Sequence, residues 1–235
     1  MVNIKTDFLL SEGLFTLMAK DGVIIYQCEF NKDHYRDDLY QLYGVNFNAN
    51  LERAVNKRKA EFLAGRFCCK KVLAYFDIYD FEVAIGGNRA PLWPKGVQGA
   101  ISHNSHHAMV AATKRTNLLG IGIDIESIMS TKTMKDIKEA ILRQEERHLL
   151  YVPDARAVVV CSLIFSIKET FFKAAYPSTG YYFDFDAITV DKIDYEAKKF
   201  YITVKQDLNS HICSGMKFDG QFEFVDEQVI SFMIL

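Results

Sequence analysis

Two stretches of this 235-residue chain hold residue types that could do chemistry: Gly120-Ile121-Gly122-Ile123-Asp124-Ile125-Glu126 and Phe165-Ser166-Ile167-Lys168-Glu169-Thr170-Phe171-Phe172-Lys173-Ala174. Alternation in the first predicts a strand with Ile121, Ile123 and Ile125 on one face and Gly122, Asp124 and Glu126 on the other. The second lacks Gly and Pro, which predicts a helix. Its four-residue offset puts Glu169 and Lys173 on one face, with Phe165, Phe172 and Tyr176 along the apolar side. If strand and helix pack together, three carboxylates converge beside one ammonium. That set suits Mg²⁺ holding a phosphate ester while the lysine meets developing negative charge. Taken singly, each cluster has a plainer reading: the wet face of an antiparallel strand, and a surface ion pair.

The elements that must position these groups are legible along the chain. Asp21-Gly22 favours a two-residue turn, so 14–19 and 23–29 read as a hairpin. A helix is predicted from Leu51 to Phe76, with Val55, Phe62, Cys69, Val72 and Phe76 apolar and Asn50 as its cap. Its basic residues read as a solvated face at Lys57, Lys70 and Lys71. Strands are expected near 81–85, 98–103 and 108–113, with Gly86-Gly87-Asn88 as a turn. After 119–126 the pattern predicts helices near 133–151 and 155–176, then strands near 187–193, 199–206, 219–225 and 228–234. A helix packed on an antiparallel sheet in each half makes an α+β architecture. The polar break Lys114-Arg115-Thr116-Asn117 divides it into subdomains 1–115 and 116–235.

Composition excludes several classes. With 49% hydrophobic residues and a net charge of −2 the chain can fill a core, and its pI near 6.3 argues against a nucleic-acid binder that depends on bulk positive charge. No apolar run is long enough for a membrane span, and Met1-Val2-Asn3-Ile4-Lys5 lacks a signal-peptide core. Five cysteines, with no C-x-x-C pair, point to reduced thiols and a cytoplasmic protein. His106 and His107 invite a zinc site, but no cysteine or acidic partner lies close by and a surface turn explains them as well. Gly120 and Gly122 lack the third glycine of a dinucleotide fold, and no Walker A motif occurs.

The arrangement G-I-G-I-D-I-E followed by F-S-x-K-E-x-x-x-K-A resembles the two signature motifs of the 4′-phosphopantetheinyl transferases, and the long N-terminal half resembles the Sfp-like class. Three more segments are similar to the enterobactin-synthetase component D subgroup. They are Arg58-Lys59-Ala60-Glu61-Phe62-Leu63-Ala64-Gly65-Arg66, matching R-x-x-E-F-x-A-G-R; Arg89-Ala90-Pro91-Leu92-Trp93-Pro94-Lys95-Gly96, matching R-x-P-x-W-P-x-G; and Ile101-Ser102-His103-Asn104, matching I-S-H-S except at Asn104. The motifs cover the middle half of the chain.

The resemblance implies two pseudo-symmetric subdomains with coenzyme A in the cleft between them: a nucleotide side in the first, magnesium and catalytic motifs in the second. The implied reaction moves the phosphopantetheine arm of coenzyme A to a serine on an apo acyl or peptidyl carrier domain and leaves 3′,5′-adenosine bisphosphate. It serves siderophore or other nonribosomal peptide synthesis, or alternatively polyketide or polyunsaturated-fatty-acid synthases. Asp124, Glu126 and Glu169 are the implied ligands of Mg²⁺, with Mn²⁺ as a substitute. Glu169 also serves as base, directly or through a metal-bound water, and Lys173 meets the phosphate or the leaving oxygen. Arg58 and Arg66 are implied at the 3′-phosphate, with pairing to Glu61 or Glu52 the plainer reading of Arg66. Arg89 lies at the nucleotide end, Ser102 and His103 at the pyrophosphate, and Pro91, Trp93 and Pro94 around the adenine. The charged helix 133–151, with Arg143 and Arg147, helps dock the carrier. The expectation is a monomeric enzyme. The reading from another class is a non-catalytic module that binds carriers or nucleotides without turnover.

Overall fold

A computed structural model describes residues 6–18 and 22–235. The chain divides into two compact units, 1–116 and 117–235, each with its own core.

In the first unit, β1 (Leu9–Leu14), β2 (Val23–Phe30), β5 (Gln98–His103) and β6 (His107–Thr113) form an antiparallel sheet in the order β1-β2-β6-β5. The predicted turn at Asp21 lies outside the described residues. A short helix α1 (Leu39–Leu42) leads to α2 (Asn56–Ala74), and β3 (Ala84–Ile85) pairs with β4 (Pro91–Leu92) in a small hairpin. Helix α2 lies on β2 and β6. It starts later than expected and without a side-chain cap: Val55 stands at its N-cap, while Asn48 caps the short 3-10 turn before it. The solvated reading of its lysines also needs correcting. Lys70 donates to the carbonyls of Tyr43 and Gly44, and Lys71 pairs with Glu12 at 2.9 Å, so both tie the helix to preceding chain.

In the second unit, β7 (Ile121–Ser127), β8 (Ile188–Asp194), β9 (Lys199–Val204), β10 (Lys217–Val225) and β11 (Gln228–Ile234) form an antiparallel sheet in the order β7-β11-β10-β9-β8. Helix α3 (Thr131–Ile141) precedes α4 (Asp154–Thr179), which lies across β7 and β11. The single helix expected over 133–151 is instead broken. Leu142 and Arg143 are extended, and a 3-10 segment runs from Gln144 to Leu150.

The cause of the break is Glu146. Its carboxylate is fully buried and accepts from the backbone N–H of Arg143 at 2.7 Å, from Val190 N–H on edge strand β8 at 2.7 Å, and from Lys168 Nζ at 2.6 Å. Lys168 also donates to the carbonyl of Ile141, at the end of α3. A continuous helix could not deliver this carboxylate to an edge strand, so the bend satisfies an otherwise unpaired β8 N–H and a buried ammonium together.

Candidate active site

Strand β7 and helix α4 approach more closely than side chains normally allow, and two glycines are the reason. A Cβ at Gly120 would stand 1.8 Å from the carbonyl oxygen of Ala174, and one at Gly122 would stand 2.0 Å from that of Thr170. Only glycine permits backbone against backbone here. Across the sheet, Ser231 pairs in register with Asp124. Its hydroxyl meets Ser166 at 2.7 Å and Thr170 at 2.5 Å, which fixes α4 over the strand by hydrogen bonds within the apolar layer.

The close packing brings one turn of α4 to the acidic face of β7. Lys173 Nζ donates to Asp124 Oδ1 at 2.6 Å; Asp124 is 1% exposed, and the lysine side chain keeps 23% of its exposure. This lysine thus bonds to a carboxylate 49 residues away, while its charge also acts on its helical neighbour Glu169. Burial pushes Glu126 up to about 8; the Asp124 and Glu169 charges add to this and Lys173 opposes it. Glu169 is likewise raised by burial, with Lys173 opposing and Asp124 adding. Three carboxylates therefore share one field with one ammonium. Among the described residues, no three His, Cys, Asp or Glu side chains stand gathered as a metal cage. Beside Glu169, Phe172, Tyr182, Phe183 and Phe185 line a small apolar niche of about 100 Å³.

The first unit carries a separate groove of about 620 Å³, lined by Arg58, Glu61, Phe62, Arg66, Arg89, Pro91 and His103 among others. Arg58 and Arg66 come from α2, Arg89 from the turn between β3 and β4, and His103 from the end of β5. Arg66 pairs with neither Glu61 nor Glu52. Its guanidinium lies over the Phe62 ring at 4.4 Å, and Nε is buried without a hydrogen-bond partner. Burial lowers its pKa, which marks a cation that an anion in the groove would satisfy. Arg58 Nη1 donates to His103 Nε2 at 2.9 Å. Ser102 is buried on β5 opposite Met109. Pro91 lines the groove, whereas Trp93 packs on Gly99, where a Cβ would stand 2.5 Å from its ring.

Asn104, the departure from the I-S-H-S pattern, accepts from the N–H groups of His106 and His107 and so builds the tight β5–β6 turn. His106 lies in that turn and His107 opens β6. Arg143 and Arg147 are engaged locally: Arg143 donates to the carbonyl of Asp186 at 2.7 Å, and Arg147 pairs with Glu139.

The 4'-phosphopantetheinyl transferase superfamily model matches residues 120–231, and that of the 4'-phosphopantetheinyl transferase N-terminal domain matches residues 47–113. The 4'-phosphopantetheinyl transferase Svp of Streptomyces mobaraensis is 30% identical over 186 residues, covering 78% of this chain and 74% of the relative. The chain belongs to the 4′-phosphopantetheinyl transferase family. Other members are similar over shorter stretches. Enterobactin synthase component D of Salmonella typhimurium is 33% identical over 153 residues, 65% of this chain and 62% of the relative. The Escherichia coli protein of that name is 36% identical over 127 residues, 54% of this chain and 59% of the relative. The chain thus spans about three fifths of the length of these two curated family members.

Within this family member, spacing alone brought out Asp124, Glu126, Glu169 and Lys173, while Gly120, Gly122, Glu146, Lys168 and Ser231 went without a role. The signal for the glycines was their period: they occupy the same strand face as Asp124 and Glu126, where a helix has to lie against bare backbone.

Proposed function

We propose that the chain transfers the 4′-phosphopantetheine arm of coenzyme A to a serine hydroxyl of an apo acyl or peptidyl carrier domain, releasing 3′,5′-adenosine bisphosphate. The observation that carries the proposal is the buried Asp124–Lys173 pair flanked by Glu126 and Glu169. Two of the three carboxylates hold their protons more tightly than usual because their charges are crowded and poorly solvated. A divalent cation relieves both penalties, and an all-oxygen donor set is what Mg²⁺ prefers, so the donor chemistry suits that ion, with Mn²⁺ as a substitute, while the three side chains would have to draw together around it.

Asp124, Glu126 and Glu169 would hold the ion. When bound, it would supply a Lewis acid that offsets the charge of the pyrophosphate. Lys173 donates to a phosphate oxygen or to the leaving oxygen, and the closeness of β7 and α4 fixes where its ammonium can reach. Glu169 takes the proton of the acceptor serine, directly or through a water; its raised affinity for protons suits that task. In the first unit the nucleotide end has matching chemistry. Arg58, Arg66 and Arg89 present planar cations for the 3′-phosphate side, and Ser102 and His103 offer hydrogen bonds to the pyrophosphate.

The relatives named enterobactin synthase component D support siderophore carriers as acceptors, with polyketide and polyunsaturated-fatty-acid carriers as alternatives. The five free cysteines, four of them buried, support a cytoplasmic protein. Among the described residues no helix is long and apolar enough to cross a membrane. Transfer of a fluorescent coenzyme A arm to an apo peptidyl carrier tests the metal assignment. It should stop with EDTA and return with Mg²⁺ or Mn²⁺, and transfer that persists in EDTA would overturn that assignment.

A further inference from the structure

The hydrogen bond between Arg58 and His103 fixes a protonation state. A guanidinium has donors only, so His103 Nε2, 2.9 Å from Arg58 Nη1, must be the acceptor. The imidazole is therefore neutral here, with its proton on Nδ1. Glu61 stands over both partners: its Oε2 is 3.7 Å from His103 Nδ1 and 3.7 Å from Arg58 Nη1. This carboxylate side chain is only 11% exposed, held on α2 by the same turn that carries Arg58.

A phosphate oxygen is an acceptor, as is the unprotonated Nε2. The two cannot form a hydrogen bond until a proton sits between them. We propose that Glu61 is a positioning residue that enables His103 to take up a proton when a phosphate ester draws Arg58 away from Nε2, so that anion binding in this groove is coupled to proton uptake. The inference rests on the proposed coenzyme A site. The step balances simply. The Arg58 hydrogen bond to Nε2 is given up, the Nε2 lone pair takes one proton from buffer, the N–H is then donated to a phosphate oxygen, and no other covalent bond changes. The new positive charge on the ring faces Glu61, whose carboxylate offsets it. Charged groups of the unit around the groove include Lys57, Arg58 and Arg66 on α2, Arg89 on the β3–β4 turn and Glu82, which acts on Arg66, with His106 and His107 beyond the end of β5. The four cations oppose a second positive charge, which is why uptake requires both the anion and Glu61.

The test titrates 3′,5′-adenosine bisphosphate into the full chain by calorimetry near neutral pH, in buffers of different ionisation enthalpy. The wild type should take up on the order of one proton per nucleotide more than His103→Asn, and Glu61→Gln should lose most of that difference. Long-range ¹H–¹⁵N spectra should show His103 protonated on Nδ1 alone in the free protein and on both nitrogens in the complex, a change that a purely structural Glu61 would not govern. Binding with equal proton counts in wild type and His103→Asn, or an Nε2–H tautomer in the free protein, overturns the inference. Absence of any binding instead overturns the coenzyme A reading beneath it.

Discussion

At the scale of single residues, the candidate site is a problem of crowded charge. Asp124 lies fully buried against Lys173, and Glu126 and Glu169 carry their charges reluctantly. Asp124→Asn keeps side-chain volume and removes an anionic oxygen. We expect transfer to fall by about 10²–10³-fold while the circular dichroism spectrum and cooperative melt persist; near-full activity at saturating Mg²⁺ would remove Asp124 from the site. In the proposed reading Arg58 would meet the 3′-phosphate, remote from the reacting bond, so its contact would be the same in ground and transition states. Arg58→Ala should raise KM for coenzyme A more than for its 3′-dephospho analogue, with kcat little changed. Equal effects on the two substrates would place the 3′-phosphate elsewhere. The carboxylates and Lys173 were readable from strand and helix spacing, whereas the arginines stood out only through the R-x-x-E-F-x-A-G-R resemblance. Their partners were not readable: Lys173 bonds to Asp124 on another element, and Arg66 rests on Phe62 rather than on an acid.

At the scale of elements, the account depends on how closely α4 lies on β7. Gly122→Ala would put a methyl group 2.0 Å from the Thr170 carbonyl, backbone that cannot rotate away. Overpacking of this kind typically costs about 1–3 kcal/mol. Because α4 must shift to relieve it, turnover should fall by more than the loss of folded protein explains; a variant with unaltered kcat and stability would show that the contact is dispensable. The Glu146–Lys168 network is the second support, joining the end of α3, the 3-10 turn, α4 and edge strand β8. Glu146→Ala leaves a buried ammonium unpaired and should cost about 3–5 kcal/mol by chemical denaturation, whereas a change below 1 kcal/mol would mean that water reaches Lys168. The helices and most strands followed from periodicity. The break at Leu142–Arg143 did not, since the local sequence is helix-compatible and the deciding contacts come from residues 168 and 190.

At the scale of the whole molecule, two cores carry internal thiols that report on them separately. Cys68 and Cys69 are buried in the first core and Cys161 within the second unit, while Cys213 is partly exposed. Burial pushes Cys69 up to about 12 and Cys161 up to about 11, so both stay protonated and unreactive at pH 8. Alkylation of native protein at that pH should label Cys213 first; labelling of Cys161 at the same rate, read by peptide mass mapping, would contradict the buried placement. The α+β class and the order of elements were legible because each half alternates helical and strand periods without long linkers. The first strand and the helix start were displaced: β1 runs over Leu9–Leu14 rather than 14–19, and α2 begins only after the short 3-10 turn that Asn48 caps. The central claim, that the acidic face of β7 and the base and lysine of α4 perform phosphopantetheinyl transfer, is tested most directly by intact mass spectrometry of an apo peptidyl carrier after incubation with the chain, coenzyme A and Mg²⁺. The account predicts a gain of one phosphopantetheine on the carrier serine, lost with Glu169→Ala; a carrier of unchanged mass across a panel of carriers, from a chain that still binds coenzyme A, would contradict it.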